Sequence, residues 1–156
     1  MEITRLGPED WERFREVRLE ALAESPEAFG SRHADWVEAP AERWRSRLTR
    51  VPLTLVAQEG SEVLGVVSGN PTGEDWVELI SMWVAPQARG LGVARQLIDA
   101  VVDWAAEQGR STYLMVRSDN VRARRTYERA GFVDTGVPEG LAPGESPENR
   151  MERPTR

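Results

Sequence analysis

Two glycines, Gly90 and Gly92, separate a β-forming run from the most regular helical pattern of the chain. Glycine lets backbone N–H groups approach an anion closely, and the beginning of a helix favours negative charge. Residues 84–94 are therefore a candidate phosphate-binding loop. Two common phosphate motifs do not fit it, because the dinucleotide pattern needs Gly or Ala where the chain has Arg95 and the ATP-binding pattern needs a lysine.

The residue types that are missing exclude several kinds of chemistry. The chain has no cysteine, and all 20 of its basic residues are arginines. It therefore offers no thiolate nucleophile, no disulfide and no lysine for a Schiff base. With one histidine, His33, the usual zinc ligand sets cannot be assembled, and we expect no metal cofactor. Chemistry must come from carboxylates, tyrosine, hydroxyl groups, arginine and backbone amides.

Length and composition are those of one globular domain, and we expect a single domain over residues 1–156. The net charge of −6 disfavours nucleic acid as the main ligand and favours a cationic or amine partner. No apolar run is long enough to span a membrane, and the first residues lack the apolar stretch of a signal peptide. We therefore expect a cytoplasmic protein with no membrane partner.

Hydrophobic periodicity predicts a layered α/β fold with a mixed sheet, in the order β-α-α-β-β-β-α-β-α-β-β. The Gly- and Pro-rich residues 134–147 are predicted to form a loop without regular structure. Pro154 is expected to confine the last strand to a sheet edge. The predicted strands cover 2–6, 53–58, 63–67, 76–84, 113–116, a strand opening at 132–133, and 148–153; the helices cover 8–25, 41–48, 94–105 and 120–130.

Two motifs carry a resemblance to a known family. Gln87, Gly90 and Gly92 fit the pattern Q/R-x-x-G-x-G/A, the pyrophosphate signature of the GNAT superfamily of acyl-CoA-dependent N-acetyltransferases. Residues 120–132 resemble the second signature of that family, with Asn, Ala, Tyr and Gly-Phe at matching spacing. Residues 25–31 resemble a segment that precedes the second helix in family members. The resemblance covers nearly the whole chain.

The resemblance implies the GNAT fold, a mixed and mostly antiparallel central sheet flanked by helices. It also implies direct transfer of an acetyl group from acetyl-CoA to a primary amine, and the absence of cysteine favours transfer without an acyl-enzyme. The acceptor is either a small-molecule amine or an amine of a peptide or protein. The alternative is a non-catalytic module that binds or senses acyl-CoA. Because Pro154 breaks a short last strand, strand donation by a partner in a homodimer is also considered.

Glu78 and Tyr127 are the candidate catalytic residues. Glu78 lies on the strand that leads to the loop, where the family often places its general base. By resemblance, Tyr127 is the general acid, since a phenol with a pKa of about 10 can protonate a thiolate whose thiol has a pKa of about 8.5. The alternatives without a catalytic role are a solvated carboxylate for Glu78 and, for Tyr127, a buried tyrosine whose hydroxyl donates a hydrogen bond to a carbonyl. Strand alternation predicts one shared face for Trp76, Glu78, Ile80, Met82 and Val84.

The resemblance also implies the acetyl-CoA contacts. Backbone amides of residues 89–94 are expected to bind the pyrophosphate, and that of Val84 the acetyl carbonyl or pantetheine. Asn120 is expected to contact pantetheine, to cap a helix, or both. Four arginines are candidates for the outer phosphates: Arg89, Arg122, Arg124 and Arg125. The full predicted set is Met82, Trp83, Val84, Gln87, Arg89, Gly90, Leu91, Gly92, Val93, Ala94, Asn120 and Arg125.

The acceptor side is expected between residues 26–40 and the 134–147 loop. Three tryptophans, Trp36, Trp44 and Trp83, could line an acceptor pocket, although no spacing selects them. Loops of this kind vary freely in composition, so the sequence pattern does not identify the acceptor.

Overall fold

The protein, described here by a computed structural model for residues 1–26, 32–140 and 144–155, is built on one seven-stranded sheet. Its strands follow runs of β-branched and apolar residues, which fit a half-buried pleated surface. They are β1 (Glu2–Arg5), β2 (Leu53–Glu59), β3 (Glu62–Thr72), β4 (Trp76–Val84), β5 (Ser111–Arg117), β6 (Val133–Gly136) and β7 (Glu148–Arg153).

The strands lie in the order β1-β2-β3-β4-β5-β7-β6. All neighbouring pairs are antiparallel except β4 and β5, which run parallel. The parallel ladder between β4 and β5 is short, and its last pair is Glu78 with Tyr113. Beyond Glu78 the two strands separate and leave an opening in the sheet. The predicted α/β fold with a mixed, mostly antiparallel sheet is confirmed.

Helices cover both faces of the sheet. They are α1 (Trp11–Glu24), α2 (His33–Trp36), α3 (Ala41–Arg50), α4 (Val93–Glu107) and α5 (Val121–Arg129). On one face, α4 buries Leu97 and Val101 in a core with residues of β2 to β5. On the other face, α1 and α3 bury Phe14 and Trp44 against Val66 of β3. The predicted order of long helices is confirmed, and the short helix α2 was not predicted.

The even-numbered residues of β4 were predicted to share one face, and a β-bulge in this strand shows that the prediction was wrong. Val66 pairs with Trp83 and Ser68 with Ile80, so β4 has one residue more than β3 between these pairs. Ser81 has a φ of 58°, in the left-handed region. Val77 and Leu79 belong to the core under α4, and Met82 and Val84 pack against that same core. Trp76, Glu78 and Ile80 therefore face the opposite side from Met82 and Val84, because a bulge interrupts the alternation.

Three boundary predictions were also wrong. First, β3 does not end at residue 67 as predicted but continues to Thr72. Second, β6 extends to Gly136, inside the predicted loop. Third, β7 lies between β5 and β6 rather than at an edge. Pro154 follows the last paired residue, Arg153, so it removes no ladder hydrogen bond.

The sheet draws all seven strands from one chain. A donated strand would be needed if the last strand were incomplete, but β7 pairs with a neighbour on each side. Strand donation is therefore not needed to complete this sheet.

Candidate active site

The candidate phosphate loop connects β4 to α4. Gly90 and Gly92 have φ angles of 82° and 83°, a region that side-chain-bearing residues seldom adopt. Gly92 is the N-cap residue of α4, and no side chain caps this helix end. The first N–H groups of α4 have no helical carbonyl to bind, so they are available to an anion. A Cβ atom at Gly90 or Gly92 would project into open space.

A cavity of about 610 Å³ lies in front of this loop, bounded by the end of β4 on one side and by α5 on the other. Its volume is within the usual range for small-molecule sites. Open N–H groups at an uncapped helix end suit the pyrophosphate of acetyl-CoA, so the residues present fit this co-substrate. Nine of the predicted binding residues line the cavity: Met82, Trp83, Val84, Arg89, Gly90, Gly92, Val93, Ala94 and Asn120.

The other predicted binding residues lie elsewhere. Gln87 and Leu91 are exposed in the loop, and Arg125 is exposed on α5; none of the three borders the cavity. Arg124 is held in the fold, because its guanidinium contacts Asp134 at 2.8 Å and donates to the Ser118 carbonyl at 3.0 Å. The binding roles of these residues remain predictions.

Four arginines do border the cavity. Arg122 was among the candidates, whereas Arg95 and Arg129 were missed. Arg95 is on the first turn of α4, and its side chain bridges Asp99 on its own helix and the Arg129 carbonyl on α5. The sequence signal for Arg95 was present, since it follows Gly92 by three residues.

Arg89 also borders the cavity, but its charge is compensated within the protein. Its Nη2 contacts Glu24 at 2.7 Å, and its Nε donates to the Val84 carbonyl at 3.1 Å. Glu24 also accepts a 2.9 Å hydrogen bond from Nε1 of Trp83. Burial raises the pKa of Glu24, but hydrogen bonds from Ser25, Trp83 and Arg89 outweigh it and lower the pKa. Glu24, the last residue of α1, thus connects this helix to Arg89 in the phosphate loop and to Trp83 near the end of β4.

A second cavity, of about 400 Å³, occupies the opening between β4 and β5. Two acidic residues, Glu78 and Glu148, and one basic residue, Arg18 of α1, are among the residues that line it. Tyr127, Met82 and Asn120 line this cavity and the first one as well. The two cavities therefore meet at Tyr127, Met82 and Asn120.

Glu78 is half-buried at the fork in the sheet. Burial raises the pKa of its carboxyl group, and the charge of Glu148 raises it further. A hydrogen bond with Tyr113 and the charge of Arg150 lower the pKa. The net shift is upward. A carboxylate with a raised pKa is a stronger base, which suits the removal of a proton from an amine.

Tyr127 projects from α5 into the region where the cavities meet. Its ring packs edge-on against Phe132, with the centroids 6.0 Å apart. No described residue accepts a hydrogen bond from its hydroxyl group. The described residues therefore do not support the alternative in which this hydroxyl only donates a hydrogen bond to a carbonyl. Burial raises the pKa of Tyr127 to about 12, and the phenol stays protonated at neutral pH.

Asn120 is the N-cap residue of α5. Its Oδ1 accepts a hydrogen bond from the Ala123 amide at 3.2 Å, which confirms the capping role. The capping bond uses the carboxamide oxygen and leaves the Nδ2 donor out of it, and Asn120 is among the residues that line both cavities. The two readings of Asn120 are therefore compatible in the structure.

Two buried arginines, Arg18 and Arg47, were not singled out in the sequence. They are 7% and 9% exposed. A signal existed: Arg18 follows Phe14 by four residues, and Arg47 follows Trp44 by three, so each falls on the apolar face of its helix. A charged residue at a core position is the kind of exception that marks a site.

The predicted acceptor walls are partly described. Residues 27–31 and residues 141–143 lie outside the described part of the chain. Trp44 is fully buried under α1, and Trp83 faces Glu24, so neither lines the second cavity. Within the described ranges, no helix is both long and apolar enough to cross a membrane.

Comparisons with known proteins show the family to which the chain is similar. The Acetyltransferase (GNAT) family model matches residues 11–132. The mycothiol acetyltransferase of Cellulomonas flavigena is 30% identical over 141 residues, which cover 83% of this chain and 39% of that protein. The chain spans about two-fifths of the length of the curated relatives it matches.

Solved structures with little sequence identity share the fold. The acetyltransferase of GNAT family from Streptococcus pneumoniae has a TM-score of 0.79 at 18% identity, over 99% of both chains. The paiA N-acetyltransferase from Thermoplasma acidophilum, in complex with coenzyme A, has a TM-score of 0.75 at 19% identity, over 98% of both chains. Given the family match over residues 11–132 and the shared fold, the chain belongs to the GNAT acetyltransferase family.

Proposed function

We propose that the protein transfers an acetyl group from acetyl-CoA directly to an amine. The observation that carries this proposal is the meeting of the two cavities at Tyr127, with Glu78 on the wall of the second. The 610 Å³ cavity beside the phosphate loop takes acetyl-CoA, and the 400 Å³ cavity takes the amine. The thioester carbon then lies where the cavities join.

Glu78 prepares the amine. A lysine-like amine has a pKa of about 10.4, so its deprotonation at pH 7 costs about 4.6 kcal/mol, whereas an α-amine costs about 1 kcal/mol. Glu78 accepts the proton, directly or through a water molecule, and the neutral nitrogen attacks the carbonyl carbon. The negative charge of Glu148 nearby makes Glu78 a better proton acceptor.

Tyr127 completes the proton balance. As the new carbon–nitrogen bond forms and the carbon–sulfur bond breaks, the hydroxyl of Tyr127 donates its proton to the departing sulfur. A phenol with a pKa near 12 is a weak acid toward a thiol with a pKa of about 8.5 in water. The burial that raises the phenol pKa also raises that of a thiol held beside it, which reduces the mismatch.

The experiment is a thiol-release assay with acetyl-CoA and a panel of amines, with mass spectrometry of the acylated product. We expect free CoA and acetylated amine in equal amounts, with no acetyl group left on the protein. Tight acetyl-CoA binding without thiol release for any amine would contradict the proposal and indicate an acyl-CoA-binding module.

A further inference from the structure

Tyr113 lies next to Glu78 at the point where the sheet opens. The two residues form the last pair of the parallel β4–β5 ladder, and Tyr113 is only 8% exposed. Its hydroxyl group is hydrogen-bonded to Glu78, and it also donates to Thr72 Oγ1 at 3.3 Å. The second tyrosine of the chain therefore touches the proposed base directly, although it does not take part in the transfer of the acetyl group.

The single proton of the Tyr113 hydroxyl group has two acceptors. Oγ1 of Thr72 donates its own proton to the Asn70 carbonyl at 3.3 Å, so it can only accept from Tyr113. The ionised carboxylate of Glu78 is also only an acceptor. A hydrogen bond to an ionised carboxylate is stronger than one to a neutral hydroxyl group. The proton of Tyr113 therefore points to Glu78 when Glu78 is ionised and to Thr72 when Glu78 is protonated.

The ring of Tyr113 is held in place by its neighbours. The guanidinium group of Arg150, on β7, lies 3.9 Å from the centroid of this ring and 4.8 Å from that of Trp76. Trp76 packs edge-on against Tyr113, with the ring centroids 5.8 Å apart. Nε of Arg150 contacts Glu152 at 2.7 Å, which orients the guanidinium group. Because the ring is fixed in this way, the hydroxyl group changes its acceptor by rotation of the O–H bond alone.

Glu78 needs a partner that favours its ionised form. Burial and the charge of Glu148 raise its pKa, and a protonated carboxyl group cannot accept the proton of an amine. The hydrogen bond from Tyr113 and the charge of Arg150 oppose this rise. The polar and charged groups around Glu78 come from five elements: Asn70 on β3, Tyr113 on β5, Glu148 and Arg150 on β7, Arg18 on α1 and Tyr127 on α5.

We propose that Tyr113 is a positioning residue for Glu78, whose hydroxyl group holds the ionised carboxylate and turns to Thr72 when Glu78 takes up the proton of the amine. Tyr113 loses no proton in this step, since it only changes its hydrogen-bond acceptor. Arg150 and Trp76 keep the ring in the orientation that the exchange requires. This inference rests on the proposed function and adds a residue to the same site.

Tyr113→Phe tests the hydroxyl group and keeps the ring that packs against Arg150 and Trp76. We expect the acid limb of the pH–rate profile to move to higher pH, so that kcat/KM on this limb falls about tenfold, as for the loss of a hydrogen bond to a charged group. Well above the limb the loss should be much smaller, because Glu78 is then ionised in both proteins. A limb that does not move, or an equal loss at every pH, would overturn the inference.

Thr72→Val is the matched control. It removes the other hydrogen bond of the Tyr113 hydroxyl group but keeps the donor, and Thr72 borders neither cavity. We expect the acid limb to stay in place or to move to lower pH. A move to higher pH as large as that of Tyr113→Phe would show that the limb responds to a loosened ring and not to the lost donor, which would also overturn the inference.

A titration followed by NMR tests the exchange of acceptors without catalysis. The chain has two tyrosines, so a protein labelled with ¹³C at tyrosine Cζ gives two signals, and Tyr127→Phe assigns them. In the wild-type protein the Tyr113 signal should change with pH as Glu78 titrates, and Glu78→Gln should abolish this change. A Tyr113 signal that does not follow Glu78 would overturn the inference, even if Tyr113→Phe does not fold.

The two proposals fail in different ways. Thiol release whose pH profile is unaffected by Tyr113→Phe would leave the acetyltransferase proposal standing and remove the role of Tyr113. No thiol release with any amine would remove the proposed function. In that case the NMR titration still decides whether Tyr113 exchanges its hydrogen bond between Glu78 and Thr72.

Discussion

Glu78 and Tyr127 line the same cavity but approach it from opposite faces of the sheet. Glu78 projects away from the core that contains its neighbours Val77 and Leu79, whereas Tyr127 packs against that core. They can share a cavity only because the β4–β5 ladder ends at Glu78. In the proposed reaction, this arrangement places the proton acceptor and the proton donor on opposite sides of the reacting group.

Replacing the hydroxyl of Tyr127 tests the proton donor. Tyr127→Phe keeps the ring that packs against Phe132, so we expect an unchanged fold and an unchanged acetyl-CoA affinity. Turnover should fall by about 10²–10⁴-fold if the hydroxyl protonates the sulfur. Steady-state kinetics and calorimetry measure the two quantities. Wild-type turnover would leave Tyr127 with a packing role only.

The pH–rate profile tests Glu78. As the solution is acidified, kcat/KM should fall when Glu78 takes up a proton. Because the pKa of Glu78 is raised, this fall should begin at a higher pH than it would for a glutamate of ordinary pKa. Glu78→Gln should abolish this limb and reduce kcat/KM near neutral pH, most strongly for amines of high pKa. Glu148→Gln is the informative companion, since loss of its charge should move the limb to lower pH.

The raised pKa of Glu78 also predicts how the stability of the fold changes with pH. A carboxyl group whose pKa is higher in the folded state stabilises the fold most below its unfolded pKa, and this contribution is lost as the pH rises through the folded pKa. At neutral pH the ionised Glu78 is therefore destabilising. Glu78→Gln should raise the midpoint of thermal unfolding near neutral pH, and the gain should shrink in acid. A lower midpoint near neutral pH would contradict the buried-carboxylate interpretation.

The glycine at the start of α4 provides a test of the phosphate loop. Gly92→Val places a branched side chain in the space in front of the loop and should greatly weaken acetyl-CoA binding. Gly73→Val is the matched control, because Gly73 also has a positive φ and open surroundings but lies in the β3–β4 turn. Each change should cost at least about 1–2 kcal/mol of stability. Equal acetyl-CoA affinities for both variants would exclude the loop as a phosphate site.

Removing the Glu24 carboxylate tests the connection between α1 and the loop. Its pKa is lowered, so its stabilising effect is present above the unfolded pKa and is lost as the pH falls through the folded pKa. Glu24→Gln should lower the unfolding free energy near neutral pH by up to about 1 kcal/mol, because the ion pair is partly exposed. In acid the difference should disappear. Glu20→Gln, on the exposed side of the same helix, should have no comparable effect in urea titrations.

Local sequence pattern was sufficient for much of the fold and for the glycine-containing turn that begins α4. The glycines at 90 and 92 and the apolar face of the helix after them are contiguous in sequence, so their structure follows from spacing alone. Strand order depends on long-range pairing, and nothing local to residues 148–153 shows that β7 inserts between β5 and β6. Pro154 was informative about where the strand ends, but not about which strands flank it.

The second cavity was harder to anticipate because its walls come from distant parts of the chain. Its opening depends on where the β4–β5 ladder stops, and the faces of Glu78 and Met82 depend on an extra residue at Ser81 that no motif marks. Arg18 and Arg47 occupy positions where the helical pattern predicts apolar residues. These charged residues at apolar positions were the only sign of the site in the sequence pattern. Their proximity to each other and to Ser81 is a property of the tertiary structure.

The interior position of β7 also affects the order in which the sheet can form during synthesis. β2, β3 and β4 are consecutive neighbours, so their pairing requires only short loops and can occur early. β5 has an open edge and β6 has no strand to pair with until residues 148–153 have left the ribosome. Open edges of this kind pair readily with other chains. A nascent chain that stalls before residue 148 is therefore the form we expect to aggregate most readily.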